Sequence, residues 1–500
     1  MHRVATGLQR DVASQTQTSV DPTPVITRAS VGLRSERGPV LLGVMLSMGL
    51  IAIDATILAT AVPSVVNDLG GFSQFPWLFS VFLLAQAVTV PIFAKLSDSY
   101  GRKPVIITGI AVFGIASVLC GFAWSMPALI AFRALQGLGA GAVQPTCMTI
   151  IGDIYSLAER AKVQGYVASV WAISSVVGPT LGGVFVDFLN WRWIFFVNVP
   201  LALVAAWMIS RHFHESIERV KHKVDVTGAV LLTLGSTLLI LGLLEGGVLW
   251  EWVSAPGLGV PVLGIVLVIA FGFVERRAAE PILPTWVLKN RLLITTSLAS
   301  LAVGAVLIGL TSYVPLYAQS VLGHSALVAG FALAALTLGW PIAASFAGRV
   351  YLRIGFRSTA LIGTVVTVVG VAGLTLLRPT SSIWQVGITC FVIGLGMGFV
   401  AAPTLIAAQS SVEWNVRGVV TGTSMFARSM GSALGIAVFG AIANAGLGNH
   451  VGGGNATTAS AIAPSVMAVA LQHVFLASAF GAGFMLLAVF FMPRTVKTVG

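Results

Sequence analysis

A series of long apolar segments, beginning near residue 39, limits the fold of this chain more than any other feature. A helix needs about 20 predominantly apolar residues to cross the hydrocarbon core of a bilayer. Hydrophobic residues make up 56% of the chain and charged residues only 9%, whereas soluble domains carry about 25% charged residues. We therefore predict an all-α integral membrane protein with fourteen spanning helices, at 39–63, 76–96, 104–123, 127–151, 164–187, 193–210, 226–245, 253–274, 292–317, 326–348, 359–377, 383–408, 418–443 and 468–492.

The short connectors between these segments alternate between basic and nearly base-free. Lysines and arginines total 28 against 17 acidic residues, and they fall mainly in every second connector, as at Arg102 and Lys103. In membrane proteins the connectors rich in lysine and arginine lie in the cytoplasm. We therefore predict a multi-pass protein of the cytoplasmic membrane with both termini in the cytoplasm. Because the net charge of +11 is scattered rather than clustered on a polar domain, we expect no nucleic-acid partner.

Three pairs of segments recur in the same order, which indicates duplication of a six-helix unit. The pairs are AKLSDSYGRK and GRVYLRIGFR, GLGAGAV and GLGMGFV, and GPTLGGVF and GSALGIAV, at offsets of 254, 257 and 253 residues. Duplicated halves around a central site are the common plan of secondary transporters. We therefore predict two six-helix bundles with two inserted central helices. The predicted parts are a flexible cytoplasmic tail at 1–38, an N-terminal bundle at 39–210, the inserted helices at 226–274 and a C-terminal bundle at 292–492.

The connector between the second and third helices contains the sequence DSYGRK at 98–103. Gly101 permits the positive φ of a tight turn, and the Asp98 carboxylate can cap a neighbouring helix N-terminus. Taken alone, the segment is equally typical of a positive-inside hairpin. AKLSDSYGRK resembles the loop signature of the major facilitator superfamily, G-x-L-x-D-x-x-G-R-[KR], with Ala94 in place of the first glycine. The resemblance implies a cytoplasmic gate between the two halves, formed by Asp98, Gly101, Arg102 and Lys103.

The fourth and fifth predicted helices carry further motifs. A buried guanidinium such as that of Arg133 is costly within a membrane unless it faces a cavity or an acid. In GPTLGG at 178–183, the proline removes a backbone donor and the glycines permit close helix approach. The two segments resemble the superfamily motifs R-x-x-x-G and G-P-x-x-G-G, which imply proton transfer for Arg133 and an exporter. The alternatives are a guanidinium that reaches lipid headgroups and ordinary helix packing. The predicted antiporter-motif residues are Gly178, Pro179, Gly182 and Gly183.

Asp54 lies inside the first predicted helix, which we expect to end at Pro63. An isolated carboxylate there costs about 2.5–3.5 kcal/mol, and a carboxylate that can be protonated from either side is what proton coupling requires. The structural alternative is a hydrogen bond to the backbone or to Thr56. The stretch resembles the L-D-x-T-I-V-x-x-A-L-P signature of the fourteen-helix drug:proton antiporter family. The segments WRWIF and NVP at 191–200 support this narrower match, which implies that Asp54 acts in proton coupling.

Two more charged residues are candidates, together with Asp54, for binding a small-molecule substrate. Glu245 closes the seventh predicted helix, where it can bind a cation from the outer side or be merely interfacial. Arg428 is an intramembrane charge in the thirteenth helix that matches a family position. We expect no metal and no cofactor, with the proton as coupling ion, and a monomer in contact with membrane lipid. Apolar packing is our interpretation of the three cysteines, Cys120, Cys147 and Cys390.

Together these features favour a proton-coupled secondary active exporter of lipophilic, cationic small molecules, that is, multidrug efflux by alternating access. No Walker A sequence is present, so ATP hydrolysis is not expected. The alternative is export of an endogenous lipid, siderophore or antibiotic. A receptor or scaffold is disfavoured because the sequence has no sizeable soluble domain, and an enzyme because it has no nucleophile–base set.

Overall fold

A computed structural model describes residues 32–155, 157–215, 225–278, 281, 286–413, 417–447 and 463–495. In these residues fourteen helices are long and apolar enough to cross a membrane, which confirms the predicted number and the all-α class. Most of the predicted tail at 1–38 lies outside the described residues. Numbered α1 to α14, the helices are Gly38–Leu69, Phe75–Tyr100, Arg102–Gly121, Met126–Ile154, Leu157–Phe188, Trp193–Phe196 continued by Asn198–His212, Val226–Glu245, Ala255–Glu275, Arg291–Ser320, Ala326–Ile354, Phe356–Thr375, Ile383–Ser410, Arg417–Leu447 and Pro464–Phe490.

Prolines lie at two of the departures from the predicted bounds. The prediction that α1 ends at Pro63 is wrong, because the helix continues for six residues beyond it. A proline is tolerated inside a membrane-spanning helix. Near Pro63, Gln319 of α9 donates a hydrogen bond to the carbonyl of Thr60 at 3.2 Å. In α6, Pro200 lacks the amide that would bond the carbonyl four residues earlier. That helix is accordingly divided into two segments at Val197.

The two six-helix units use equivalent packing contacts, in agreement with the internal repeat. Gly137 of α4 packs on the backbone of Phe82 in α2, and Gly394 of α12 packs on the backbone of Leu336 in α10. The glycines and their partners are separated by 257 and 254 residues, the same offsets as in the sequence repeat. A side chain at either glycine would collide with the facing carbonyl, so these glycines set a close helix approach. We call α1–α6 the N-terminal lobe and α9–α14 the C-terminal lobe.

The two lobes meet at one end of the bundle. Arg102 and the other basic connectors lie at the opposite end, because successive helices run antiparallel; we call these the base-poor end and the basic end. At the base-poor end, Asn444 of α13 donates a hydrogen bond to the carbonyl of Ser73 at 3.3 Å. The rings of Phe75 and Tyr313, one from each lobe, lie 5.4 Å apart in an edge-to-face arrangement. Both rings belong to an apolar cluster built from both lobes, so the bundle is closed at this end.

The two inserted helices, α7 and α8, lie against one side of the pair of lobes. α7 packs on α2 and α13, where Leu232 and Ile240 join a buried apolar cluster with Trp77 and Ala433. α8 packs on α7 and leaves most of its apolar side chains exposed, as expected of a helix that faces lipid. α7 therefore covers the seam between the lobes, and α8 lies outside it.

Candidate functional site

The polar core of the N-terminal lobe is built around Asp54. This residue lies midway along α1, and only 1% of its surface is exposed. Arg133 of α4 donates a hydrogen bond from Nη1 to Oδ2 of Asp54 at 2.6 Å, which makes a buried ion pair. The structure thus brings together the two residues that the sequence selects for proton coupling.

Two further side chains complete the shell around the carboxylate. Gln136 Nε2 and Asn198 Nδ2 donate to Oδ1 of Asp54 at 2.8 and 2.9 Å. Gln136 also accepts from Arg133 Nη1 at 2.6 Å and donates to Ser117 Oγ at 2.9 Å. The sequence reasoning missed these partners. The available signals were the three-residue spacing of Gln136 from Arg133, which places both on one helix face, and the NVP segment that contains Asn198.

The surrounding side chains suit the charged form of Asp54, because both of its carboxylate oxygens accept hydrogen bonds, from Arg133, Gln136 and Asn198. Arg133 is held equally well. Its Nε donates to the carbonyl of Leu78 at 3.1 Å, and its guanidinium lies 4.2 Å from the ring centroid of Phe82. A buried ion pair is tolerated when its remaining polar groups are bonded in this way. The exception is Oδ1 of Asn198, which is buried and has no hydrogen-bond partner among the described residues.

The GPTLGG segment of α5 packs directly beside this network. Gly178 lies against Thr56, two residues beyond Asp54, and Gly182 lies one turn further along the same helix. Thr56 Oγ1 also donates to the carbonyl of Ser174 at 3.1 Å. A side chain at Gly178 would collide with Thr56. These glycines therefore keep α5 within backbone distance of the helix that carries Asp54.

The same segment also contacts the C-terminal lobe. A methyl group added at Gly183 would lie 2.5 Å from Cα of Leu327 in α10, and one added at Gly330 would lie 2.8 Å from the carbonyl oxygen of Pro179. α5 is thus packed between α1 of its own lobe and α10 of the other.

The predicted gate residues lie at the basic end. Gly101 has a φ of +105°, which confirms the predicted turn. α3 begins directly after it, and the carboxylate of Glu215 accepts from the amides of Arg102 and Lys103 at 2.7 and 3.4 Å. Glu215, which follows α6, was not selected from the sequence. It supplies the capping acceptor that a helix N-terminus requires.

Arg102 also connects α3 with the end of α4. Its Nε donates to Oδ2 of Asp153 at 3.1 Å, and its Nη1 donates to the carbonyl of Ser97 at 3.1 Å. Asp98 lies in the last turn of α2, but its side chain lies outside the described residues. Its capping role therefore stays a prediction, as does the gate between the lobes.

The other two candidate residues lie apart from Asp54. Glu245 is buried at the base-poor end of α7 and accepts a hydrogen bond from Nε1 of Trp77 at 3.0 Å, which ties the inserted pair to α2. Arg428 lines a cavity among α9, α12 and α13, beside Ser300. Of the three substrate-binding candidates, Arg428 alone lines this cavity.

Comparison with known proteins agrees with this architecture. The sequence profile of the Major Facilitator Superfamily matches residues 44–436. The chain belongs to the Major Facilitator Superfamily. It is 37% identical over 406 residues to Multidrug resistance protein 3 of Bacillus subtilis (strain 168), covering 81% of this chain and 79% of that protein. It is 36% identical over 418 residues to Multidrug transporter protein MdtP of the same strain, covering 84% of this chain and 77% of that protein.

A solved structure shares the Major Facilitator fold. A bacterial homologue of the human lysosomal transporter Spinster, in an inward-facing and unoccupied conformation, aligns with a TM-score of 0.65 over 91% of this chain and 98% of that chain. The identity is 18%, so this likeness concerns the fold alone. Membership of the superfamily makes the chain a multi-pass membrane transporter and not an enzyme, as predicted.

Proposed function

We propose that this Major Facilitator protein is a proton-coupled exporter of lipophilic small molecules that works by alternating access. The observation that carries the proposal is the ion pair of Asp54 and Arg133, buried at 2.6 Å within the N-terminal lobe. Ionisable residues inside a membrane are costly and mark proton or substrate pathways. Protonation of Asp54 removes the negative charge that holds Arg133 and so changes the packing of α1 against α4.

The shell of Asp54 supports a specific response to protonation. The carboxylate accepts hydrogen bonds from three side chains, whereas a protonated carboxyl group must donate one. Rotation of the Asn198 amide would present its unpartnered Oδ1 to the new O–H group. Arg133 would then lose its counter-ion and turn to another acceptor. Because the shell comes from α1, α4 and α6, the protonation state of Asp54 sets how these helices pack.

The movement can reach the other lobe through α5. Gly178 packs on Thr56 of α1, and Pro179 packs on Gly330 of α10. A shift of α1 therefore displaces the interface between the lobes, which is what alternating access requires.

Orientation and driving force follow from charge. We place the basic end and both termini in the cytoplasm of the cytoplasmic membrane, so the closed base-poor end faces outward. Entry of one proton supplies about 2.3 kcal/mol per 100 mV, which sustains roughly a fifty-fold substrate gradient. The names of the two relatives, a multidrug resistance protein and a multidrug transporter, support efflux of drugs. The alternative, export of an endogenous lipid, siderophore or antibiotic, uses the same coupling; growth-inhibition profiling of a strain lacking the protein separates the two.

The decisive experiment measures transport by the full chain in proteoliposomes with an acidic lumen. The probes are ethidium and 8-anilino-1-naphthalenesulfonate, which keep their charges across the pH range and so are not trapped by the gradient itself. We expect the wild type to accumulate at least one probe only while the gradient lasts, and Asp54→Asn to abolish that accumulation. Glu251→Gln removes an exposed carboxylate between α7 and α8 and is the matched control. Uphill transport by Asp54→Asn at the wild-type rate would refute the proton assignment.

A further inference from the structure

Arg428 is the charged group in the described part of the C-terminal lobe that faces a cavity within the membrane-spanning region. It lies in the first half of α13, where its side chain is half-buried. The cavity lies among α9, α12 and α13, and its lining includes Ser300, Leu405 and Met425. Met425 also lines a neighbouring cavity with Val90 of α2 and other residues of the N-terminal lobe. The two cavities therefore adjoin along the interface between the lobes.

The guanidinium of Arg428 differs from that of Arg133. Arg133 is bonded to Asp54, Gln136 and the carbonyl of Leu78. Arg428 forms no side-chain hydrogen bond and no ion pair with any described residue. A guanidinium has five N–H donors in a planar fork that matches a carboxylate, sulfonate or phosphate. Its donors are therefore free for a bound anion.

The cavity carries the positive charge of Arg428 without a compensating carboxylate in the part of its lining that the structure describes. No carboxylate from the described residues lines either of the two adjoining cavities. Asp54, which lies midway along α1, is paired with Arg133. A lone cation of this kind in an apolar setting is stabilised by an opposite charge. A cationic substrate would instead be repelled from it.

The remaining lining residues suit an amphipathic molecule. Val303, Leu405 and Met425 offer apolar surface, while the hydroxyls of Ser300 and Ser424, 2.9 Å apart, lie beside the guanidinium in the same lining. Apolar walls with a few polar groups that fix orientation are the usual form of a small-molecule site.

We propose that Arg428 binds the acidic group of a lipophilic organic anion, a carboxylate or sulfonate, and that such anions are preferred substrates. This inference rests on the proposed export function, and it replaces the predicted preference for cations. The proton site then lies in the N-terminal lobe and the charge-recognition site in the C-terminal lobe. Binding of the anion supplies the half-buried guanidinium with the acceptor that it lacks among the described residues.

Equilibrium binding to the full chain in nanodiscs of phosphatidylcholine tests the proposal. The probes are 8-anilino-1-naphthalenesulfonate and N-phenyl-1-naphthylamine, which share a ring system and differ in the sulfonate. We expect Arg428→Gln to weaken binding of the sulfonate by about tenfold, the order expected for a lost charge-assisted hydrogen bond, and to leave the neutral amine unchanged. Arg428→Lys should retain part of the preference. Arg353→Gln, which removes an exposed cation from the end of α10, is the matched control.

Equal loss of both probes in Arg428→Gln, or no loss of either, would overturn the proposal. Unchanged binding of the amine shows in the same sample that the variant is folded. A second set of nanodiscs contains phosphatidylglycerol; if that lipid displaces the sulfonate from the wild type, Arg428 holds a lipid phosphate and the substrate assignment falls. Because no pH gradient is present, these results are independent of the transport assay. Failure here with intact proton-driven transport refutes only the anion preference.

Discussion

The N-terminal and C-terminal lobes share their packing but not their charges. In the N-terminal lobe, Gly178 of α5 packs on Thr56 of α1; in the C-terminal lobe, Gly431 of α13 packs on Leu301 of α9. Gly435 likewise packs on α9 one turn later. The close helix contacts are therefore preserved between the two units. Close approach of backbones depends on the absence of a side chain. Both lobes therefore have glycine at these positions, although their charged residues differ.

The charged groups, unlike the glycine contacts, differ between the two lobes. In the shared packing register, the counterpart of Asp54 is Ala299, and the repeat offset makes Cys390 the counterpart of Arg133. Both counterparts are fully buried, so the C-terminal lobe fills with small side chains the space that the N-terminal lobe gives to an ion pair. The comparison separates two features: the N-terminal lobe holds the buried ion pair, and the C-terminal lobe holds Arg428, the cation that lines the cavity.

The largest effect is expected from breaking the ion pair. Arg133→Met leaves the buried carboxylate of Asp54 without its cation, which should lower the free energy of unfolding by about 3–5 kcal/mol. The C-terminal counterpart is the control, since Cys390→Ala removes only a small apolar group. Thermal unfolding in detergent, followed by tryptophan fluorescence, measures both. The double variant Asp54→Asn/Arg133→Met should recover most of the loss, and simple additivity would contradict a direct pair.

A smaller effect is expected from the glycine contacts, and it should differ between the lobes. A methyl group at Gly431 meets three backbone atoms of Leu301 closer than 3.0 Å, whereas at Gly178 it meets the Thr56 hydroxyl, which can rotate, and Cβ of Thr56 at 2.9 Å. We expect Gly431→Ala to cost about 1–3 kcal/mol of unfolding free energy, and Gly178→Ala less. The same thermal assay ranks the two. Gly422→Ala in α13 is the matched control, because no described residue comes within 4 Å of an added methyl group there. Equal losses at all three positions would show that the contacts do not matter.

Sequence and structure agree where the signal is local or periodic. Segment length predicts all fourteen helices, and the positive φ of Gly101 follows from its place in a tight turn. Contacts between distant helices were not predictable, because the rotation of one helix against another is set by the packing of many side chains. This is why Asp54 and Arg133 were selected separately, while their partner Asn198 and the cap formed by Glu215 were missed.

The smallest expected effect compares the two copies of the tight turn, at Gly101 and Gly355. Both glycines have positive φ, +105° and +85°, so alanine strains the backbone at either one. A methyl group at Gly101 also meets the carboxylate of Glu215 at 2.6 Å, whereas at Gly355 none of the residues that the structure describes lies within 4 Å of it.

Gly101→Ala should therefore lower the free energy of unfolding by more than Gly355→Ala does, and the difference should equal the loss of a helix cap, about 0.5–2 kcal/mol. The same thermal assay, repeated in a Glu215→Ala background, isolates the cause. There the cap is already absent and the clash is removed, so the two alanine substitutions should cost the same. If the two substitutions still differ without the Glu215 carboxylate, the difference arises in the turn itself. The helix cap would then not explain why the two lobes respond differently.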